Sequence, residues 1–130
     1  ATKAIRVIED LVQPNGIIGS PDGKKLFISD IKDKKTFSYK IKRNGKLRGK
    51  KLFCKMGSDG MTLDDRGNVY LTGKGVTVFN KKGKQIAHID VPEPWTANVC
   101  FGGADKNSLY ITASTSLYKL SMTTKGVGSQ

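Results

Sequence analysis

Short runs of apolar and β-branched residues, separated by turns rich in Gly, Asn and Asp, cover most of the chain. In the run 36–42, Phe37, Tyr39 and Ile41 alternate with polar residues, which is typical of a strand with one solvated face. No stretch repeats its apolar residues with the period of a helix. We therefore predict an all-β protein. The predicted strands are 4–12, 17–20, 26–31, 36–42, 47–56, 61–64, 68–72, 76–80, 85–91, 98–101, 108–113 and 116–122, with turns at 13–16, 20–23 and 43–46.

These strands follow a repeated unit, in which a polar residue leads a short apolar run, an Asp/Gly turn and a second β-rich run. The leading residues are Asn15, Asp59 and Asn98, which are 44 and 39 residues apart. An all-strand repeat of about 40 residues is the period of a β-propeller blade. The prediction is therefore three four-stranded blades, at 14–56, 58–91 and 95–122. An outer strand at 4–12 precedes them, and the last blade lacks its fourth strand.

Three blades are too few for a closed propeller, which usually has about 4 to 8 of them. Such a half ring leaves two apolar faces and unpaired strand edges bare, which favours aggregation. We expect a two-fold homodimer that forms a six-bladed ring, in which each N-terminal strand completes the last blade of the partner. The competing interpretation is that the chain is a fragment of a longer propeller whose other half closes the ring.

The chain is strongly basic, with 23 Lys and Arg against 11 Asp and Glu and a net charge of +12. Such a charge attracts nucleic acid or an anionic surface. The alternation at 36–42 places Phe37 and Tyr39 away from the lysines, where they cannot form a stacking platform for bases. We interpret the basic stretch as a solvated face and expect nucleic-acid binding to be unlikely. Binding of an anion or a nucleic acid through this stretch, with an affinity that falls steeply with salt, stays as the less favoured alternative. Its basic residues, opposed only by Asp33, are Lys32, Lys34, Lys35, Lys40, Lys42, Arg43, Lys46, Arg48, Lys50, Lys51 and Lys55.

Other composition signals bear on compartment. No apolar run is long enough to cross a bilayer and no charged leader precedes an apolar segment, so we expect no membrane partner. Because the chain opens at Ala1, a processed leader stays open as an alternative. Cys54 is predicted on an outer strand and Cys100 on an inner one, too far apart for a disulfide. Two free thiols suit a reducing compartment, and we expect a cytoplasmic protein.

The order and spacing of several motifs are more specific than the turns themselves. The chain carries Gln13-Pro14-Asn15-Gly16, Ser58-Asp59-Gly60-Met61, Gly73-Lys74-Gly75-Val76 and Phe101-Gly102-Gly103. In these it closely resembles the C-terminal half of the gluconolactonase and senescence-marker-protein (regucalcin-like) family. The resemblance implies a six-bladed propeller that holds one divalent metal in its central tunnel, often calcium or zinc, and hydrolyses lactones.

The resemblance also implies roles for individual residues. Asn15 matches a metal-ligand asparagine, and Asp59 matches a ligand aspartate that is also the proposed general base. Asn98 lies where the family often has a small polar residue and is a weaker candidate for substrate contact. Trp95 could line the tunnel mouth or pack between blades. The family's first-blade glutamate ligand and a further asparagine have no counterpart, and the only glutamates are Glu9 and Glu93.

Asparagine and aspartate supply hard oxygen donors, which suit calcium, magnesium or manganese. A metal there could polarise a lactone carbonyl while Asp59 accepts a proton from the attacking water. We therefore expect a metal-dependent lactone hydrolase with a divalent cofactor, calcium first, active only when the ring is complete. Two alternatives stay open. Asn15 and Asp59 could simply adopt the left-handed turn conformation before Gly16 and Gly60, or the chain could be a non-catalytic scaffold, with or without bound metal. His88 is interpreted as structural.

Overall fold

The computed structural model describes residues 3–127, which contain eleven β-strands and no helix. Accordingly, this part of the chain has no helix that could span a membrane. The strands are β1 (Pro14–Gly19), β2 (Lys25–Asp30), β3 (Lys35–Ile41), β4 (Leu47–Cys54), β5 (Met61–Leu63), β6 (Val69–Gly73), β7 (Gly75–Phe79), β8 (Gln85–Ile89), β9 (Thr96–Gly102), β10 (Ser108–Ala113) and β11 (Ser116–Ser121).

The strands form three antiparallel sheets in which sequence neighbours pair. The sheet orders are β1-β2-β3-β4, β5-β6-β7-β8 and β9-β10-β11. The first strands of the sheets lie side by side, because β1 contacts β5 and β5 contacts β9. This arrangement confirms the all-β class and the partial propeller of three blades. The third sheet has three strands among the described residues, as the repeat predicts.

The middle sheet is buried on both faces. Phe27, Met61 and Leu71 belong to the cluster between the first and second sheets, whereas Tyr70, Val99 and Leu109 belong to the cluster between the second and third. All residues of β6 and β7 are buried, including Thr72 and Thr77, whereas most of the outer strand β8 is exposed. The outer faces of the first and third sheets have no neighbouring blade and expose Ile17 and Leu117.

The N-terminal strand predicted at 4–12 does not form, since residues 3–11 make no strand pairing with the rest of the described chain. The segment is nonetheless attached to the first sheet. Asp10 pairs with Lys50 on β4 at 3.0 Å, and the amides of Val12 and Gln13 donate to the Asp30 carboxylate at 2.7 and 2.9 Å. These amide donors hold the pKa of Asp30 below its usual value, although burial opposes them.

Two further details of the sequence interpretation are wrong. Residues 14–16 are not a turn but the start of β1, where the pairing with β2 shifts register between Pro14 and Ile17. Phe37 does not point away from the lysines, because the β3–β4 register shifts and the Lys50 ammonium lies 4.4 Å from the centroid of its ring. Both differences come from β-bulges, which redirect side chains and leave no clear periodicity in the sequence.

The two cysteines are free, as expected. Cys54 is buried at the end of the outer strand β4, and burial raises the pKa of its thiol to about 11. Cys100 is exposed on the inner strand β9.

Candidate functional site

Three of the four residues singled out from the sequence meet at the start of the inner strands. The Asn15 side-chain amide Nδ2 donates to Asp59 Oδ1 at 3.1 Å, and the Trp95 indole Nε1 donates to Asp59 Oδ2 at 2.8 Å. Asn15 lies in β1, Asp59 precedes β5 and Trp95 precedes β9. Each sheet thus contributes one side chain, and each oxygen of the Asp59 carboxylate accepts one hydrogen bond.

Two glycines allow the inner strands to approach this closely. The Gly16 amide donates to Ser58 O at 3.1 Å, and a Cβ on Gly16 would lie 2.9 Å from that same carbonyl oxygen. A Cβ on Gly60 would lie 2.9 Å from Asn98 Cα and would collide with the Asn98 side-chain oxygen. Side chains at either position would push neighbouring inner strands apart, so glycine is required here for space.

This close packing replaces the turn interpretation of the Asn-Gly and Asp-Gly motifs. The non-glycine residues with positive φ in the described chain are Lys34, Lys106 and Ser114. Neither Asn15 nor Asp59 adopts the left-handed conformation, and Gly16 and Gly60 do not adopt it either. The alternative that Asn15 and Asp59 serve only a left-handed turn is therefore wrong.

Two buried hydroxyls fix the backbone on either side of Asp59. Ser58 Oγ accepts the Thr72 amide at 2.7 Å and donates to Gly60 O in a short hydrogen bond. Thr72 Oγ1 accepts the Gly60 amide at 3.2 Å and lies 3.2 Å from Ala97 O, which links β6 to β9. Because Ser58 and Thr72 are almost fully buried, these bonds form out of competition with water. They leave the Asp59 carboxylate as the partly exposed group of the motif.

Sequence reasoning missed Ser58 and Thr72, although a signal for Thr72 exists. Near its end, the second strand of every sheet carries a hydroxyl residue, namely Ser29, Thr72 or Thr112. In the first sheet Ser29 Oγ lies 2.6 Å from Thr36 Oγ1, which also donates to Met56 O. In the third sheet Thr112 Oγ1 lies 3.4 Å from Asn98 O. This hydroxyl recurs in the repeat and lies next to the inner strand each time.

Asn98 and His88 lie outside the three-residue cluster. Asn98 packs against Gly60, but its Oδ1 accepts its own neighbour's amide, Val99 N, at 2.9 Å and makes no contact with the carboxylate. His88 lies on the outer strand β8, where Nδ1 is 3.1 Å from Thr77 Oγ1 and Nε2 is 3.5 Å from Asp90. These contacts agree with a structural interpretation of His88.

The cluster is open to solvent and its donors are oxygens. Asp59 is half-buried, Asn15 is exposed and Trp95 is 49% exposed. No group of three or more His, Cys, Asp or Glu residues among residues 3–127 could hold a metal ion. Asn15 and Asp59 could therefore provide two hard oxygen ligands, and the remaining ligands of any cation would come from water or from outside this part of the chain.

Comparison with known proteins places this arrangement in a family. Residues 1–115 match the family described as SMP-30/Gluconolactonase/LRE-like region. A 6-deoxy-6-sulfogluconolactonase from Pseudomonas putida is 29% identical over 114 residues, 81% of this chain and 39% of the relative. The curated relatives are matched over 36% to 42% of their length.

Solved structures agree with this assignment. A calcium-binding regucalcin from Agrobacterium tumefaciens superposes with a TM-score of 0.85 at 25% identity, covering 96% of this chain and 51% of that one. A gluconolactonase from Xanthomonas campestris superposes with a TM-score of 0.78 at 29% identity, over 88% of this chain and 39% of the other. The three sheets thus correspond to part of the propeller in these larger proteins.

Replacing Thr72 by valine should lower the free energy of unfolding by about 1–3 kcal/mol, because Gly60 N and Ala97 O lose a buried partner. The matched control is Thr112→Val, which removes an exposed hydroxyl from the corresponding strand position and should change stability by less than about 0.5 kcal/mol. Urea denaturation followed by circular dichroism measures both. Equal, small effects of the two variants would contradict the role assigned to Thr72.

Proposed function

The chain belongs to the SMP-30/gluconolactonase/LRE-like family, and we propose that it is the Asp59-bearing part of a divalent-metal-dependent lactone hydrolase. The observation that carries the proposal is the meeting of Asn15, Asp59 and Trp95 at the inner strands, with both Asp59 oxygens hydrogen-bonded. Relatives named for lactone hydrolysis support the reaction class. The proposed substrate is accordingly a small sugar lactone.

The donor chemistry fits a hard divalent cation, calcium first, with zinc, magnesium or manganese as alternatives. Asp59 Oδ1 and the Asn15 carboxamide are the groups that would hold it. Asn15 turns its Nδ2 toward Asp59, and rotation of this exposed amide would present its oxygen instead. When bound, such a cation supplies Lewis-acid polarisation of the lactone carbonyl.

In the proposed reaction Asp59 acts as general base. Its carboxylate accepts a proton from water while the water oxygen bonds to the lactone carbonyl carbon. The same carboxyl then returns the proton to the ring oxygen as the acyl C–O bond breaks, which gives a hydroxy acid. Trp95 positions the carboxylate through Oδ2 and presents its exposed ring beside the place where substrate would lie. Asn98, on the neighbouring strand, is a second candidate for substrate contact.

The proposed active form is a complete ring. The chain is matched to less than half the length of its curated relatives, and the third sheet has only three strands among the described residues. A second copy of the chain is the first candidate to close the ring, and the remaining half of a longer chain is the other. Either would cover the outer faces that carry Ile17 and Leu117.

A non-catalytic scaffold is the second candidate function. The observation that favours it is the small donor set, because Asn15 and Asp59 belong to no cluster of three or more His, Cys, Asp or Glu residues among residues 3–127. A scaffold of this kind would keep the propeller packing and lack lactone hydrolysis.

The substitution Asp59→Asn should lower kcat/KM for a simple aldonolactone by about a hundredfold or more, because general-base catalysis contributes about 10²–10⁴. Hydrolysis is measured by proton release in the presence of calcium, and a chelator should abolish it. Asp105→Asn removes one exposed carboxylate without touching the site and is the matched control. Equal activity of the two variants would contradict the assignment of Asp59, and inactivity of the unsubstituted protein would favour the scaffold.

The molar mass in solution, measured by light scattering, tests the homodimer separately from the activity. If two copies of the 14.2 kDa chain close the ring, the particle should have twice that mass at micromolar concentration, because the uncovered faces of the two copies would be buried together. A monomeric mass would contradict the homodimer.

A further inference from the structure

A second concave site lies at the opposite end of the inner strands from Asp59. It is a groove of about 1270 Å³ between the first and second sheets, bordered by the β1–β2, β3–β4 and β5–β6 turns. The β5 segment from Asp59 to Asp64 rises by roughly 3.3 Å per residue, so about 16 Å separates the two sites. Phe27, Ile41 and Leu63 provide the apolar part of the lining.

The charged side chains around this groove are mainly cationic. Six of these cations, named at the end of this paragraph, form no ion pair with a carboxylate of residues 3–127. By contrast, Lys35 and Lys50, which belong to the same basic stretch but do not line the groove, pair with Asp33 and Asp10. A seventh groove cation, Lys25, lies 5.8 Å from the Phe27 ring centroid. The six unpaired cations are Lys24, Lys40, Lys42, Arg43, Arg48 and Lys81.

The acidic side chains at the groove do not neutralise these cations. Asp22 Oδ1 accepts hydrogen bonds from Ser20 Oγ at 2.6 Å and Lys24 N at 2.9 Å, which hold the pKa of this carboxyl below its usual value. Asp64 is fully buried, and its two oxygens accept the Arg66 and Asn68 amides and the Tyr70 hydroxyl, all at 2.9 Å. Asp65 is exposed, and its Oδ1 accepts the Lys125 amide at 3.4 Å. Because seven cations face three carboxylates, the groove keeps a positive potential.

One of the six cations, Lys81, lies on the wall of the groove that belongs to the second sheet, where it packs against Gly67. A Cβ on Gly67 would lie 2.9 Å from Lys81 Cγ, so the Lys81 stem packs directly on the β5–β6 turn of its own sheet. The other five cations come from the first sheet. Since both walls of the groove belong to this chain, a ring completed at the outer faces would leave the groove intact.

We propose that this groove binds a small phosphate-rich anion, such as the di- or triphosphate group of a metabolite. Two guanidinium groups and several ammonium groups match phosphoryl oxygens, which accept bidentate bonds from arginine and point-charge contacts from lysine. Its volume of about 1270 Å³ is large enough to admit a small phosphorylated molecule. The one aromatic residue of the lining, Phe27, is only 5% exposed and offers no ring face on which a nucleic-acid base could stack.

The test is calorimetric titration with inorganic triphosphate at about 50 mM salt. The groove variant is the pair Arg43→Ala and Arg48→Ala. The control pair is Lys51→Ala and Lys55→Ala, which removes the same charge from exposed positions of the same basic stretch outside the groove. Saturable one-to-one binding is expected, weakened about tenfold or more by the groove pair and less than about threefold by the control pair. Thermal melts of both variants show whether they fold.

Equal weakening by the two pairs would overturn the proposal, because it would show attraction to the net charge rather than to a site. Absence of saturable triphosphate binding would overturn it as well. A parallel titration uses a 20-nucleotide single-stranded DNA. Tighter binding of that DNA than of triphosphate, unaffected by the groove pair, would assign the basic surface to nucleic acid and contradict the small-anion site.

Discussion

The close approach of the inner strands at Gly16 and Gly60 is the constraint on which the candidate site depends. A side chain at either glycine would overlap the backbone of the neighbouring inner strand. The absence of a Cβ lets the Gly16 amide reach Ser58 O and lets Asn98 pack on Gly60. As a consequence, Asn15 of β1 and Trp95, next to β9, both come within hydrogen-bonding distance of Asp59, next to β5. The site is a product of how the sheets pack rather than of any one loop.

The packing of the sheets and the chemistry of the site are linked through the backbone of residues 58–60. Ser58 and Thr72 satisfy the polar groups around Gly60 inside the core, while the carboxylate between them stays accessible. The strands β6 and β7 of the middle sheet are buried on both faces and support the segment that carries Asp59. The outer faces of the first and third sheets and the incomplete third sheet are the parts that a completed ring would cover. Function is therefore proposed for the ring, with this chain as the portion that holds the base.

The strand pattern and the period of about 40 residues were sufficient to predict the all-β class, three sheets and the relation between Asn15 and Asp59. The same pattern misassigned 14–16 as a turn. The dipeptide Asn-Gly occurs both in turns that need a left-handed φ and in strands where the glycine allows another strand to approach, and the sequence alone does not distinguish the two. The strand predicted at 4–12 does not form. An apolar pattern shows that a segment is able to form a strand, but it does not show that the segment pairs with another strand. The Trp95 contact with Asp59 joins positions 36 residues apart, and no local pattern encodes such a pairing. The sequence showed four of the groove cations only as part of the basic stretch and gave no sign that Lys24 and Lys81 lie at the same groove.

Whether the site depends on the close approach at Gly60 is tested by comparing Gly60→Ala with Gly19→Ala. Gly19 lies in β1 and would place its Cβ no closer than 3.9 Å to any neighbour, so it controls for the loss of glycine itself. Two-dimensional NMR of the single Trp95 indole N–H reports its bond to Asp59. We expect Gly60→Ala to shift or broaden this resonance and to lower the unfolding free energy, whereas Gly19→Ala should leave both close to those of the unsubstituted protein. An unchanged indole resonance and unchanged stability in Gly60→Ala would contradict this expectation.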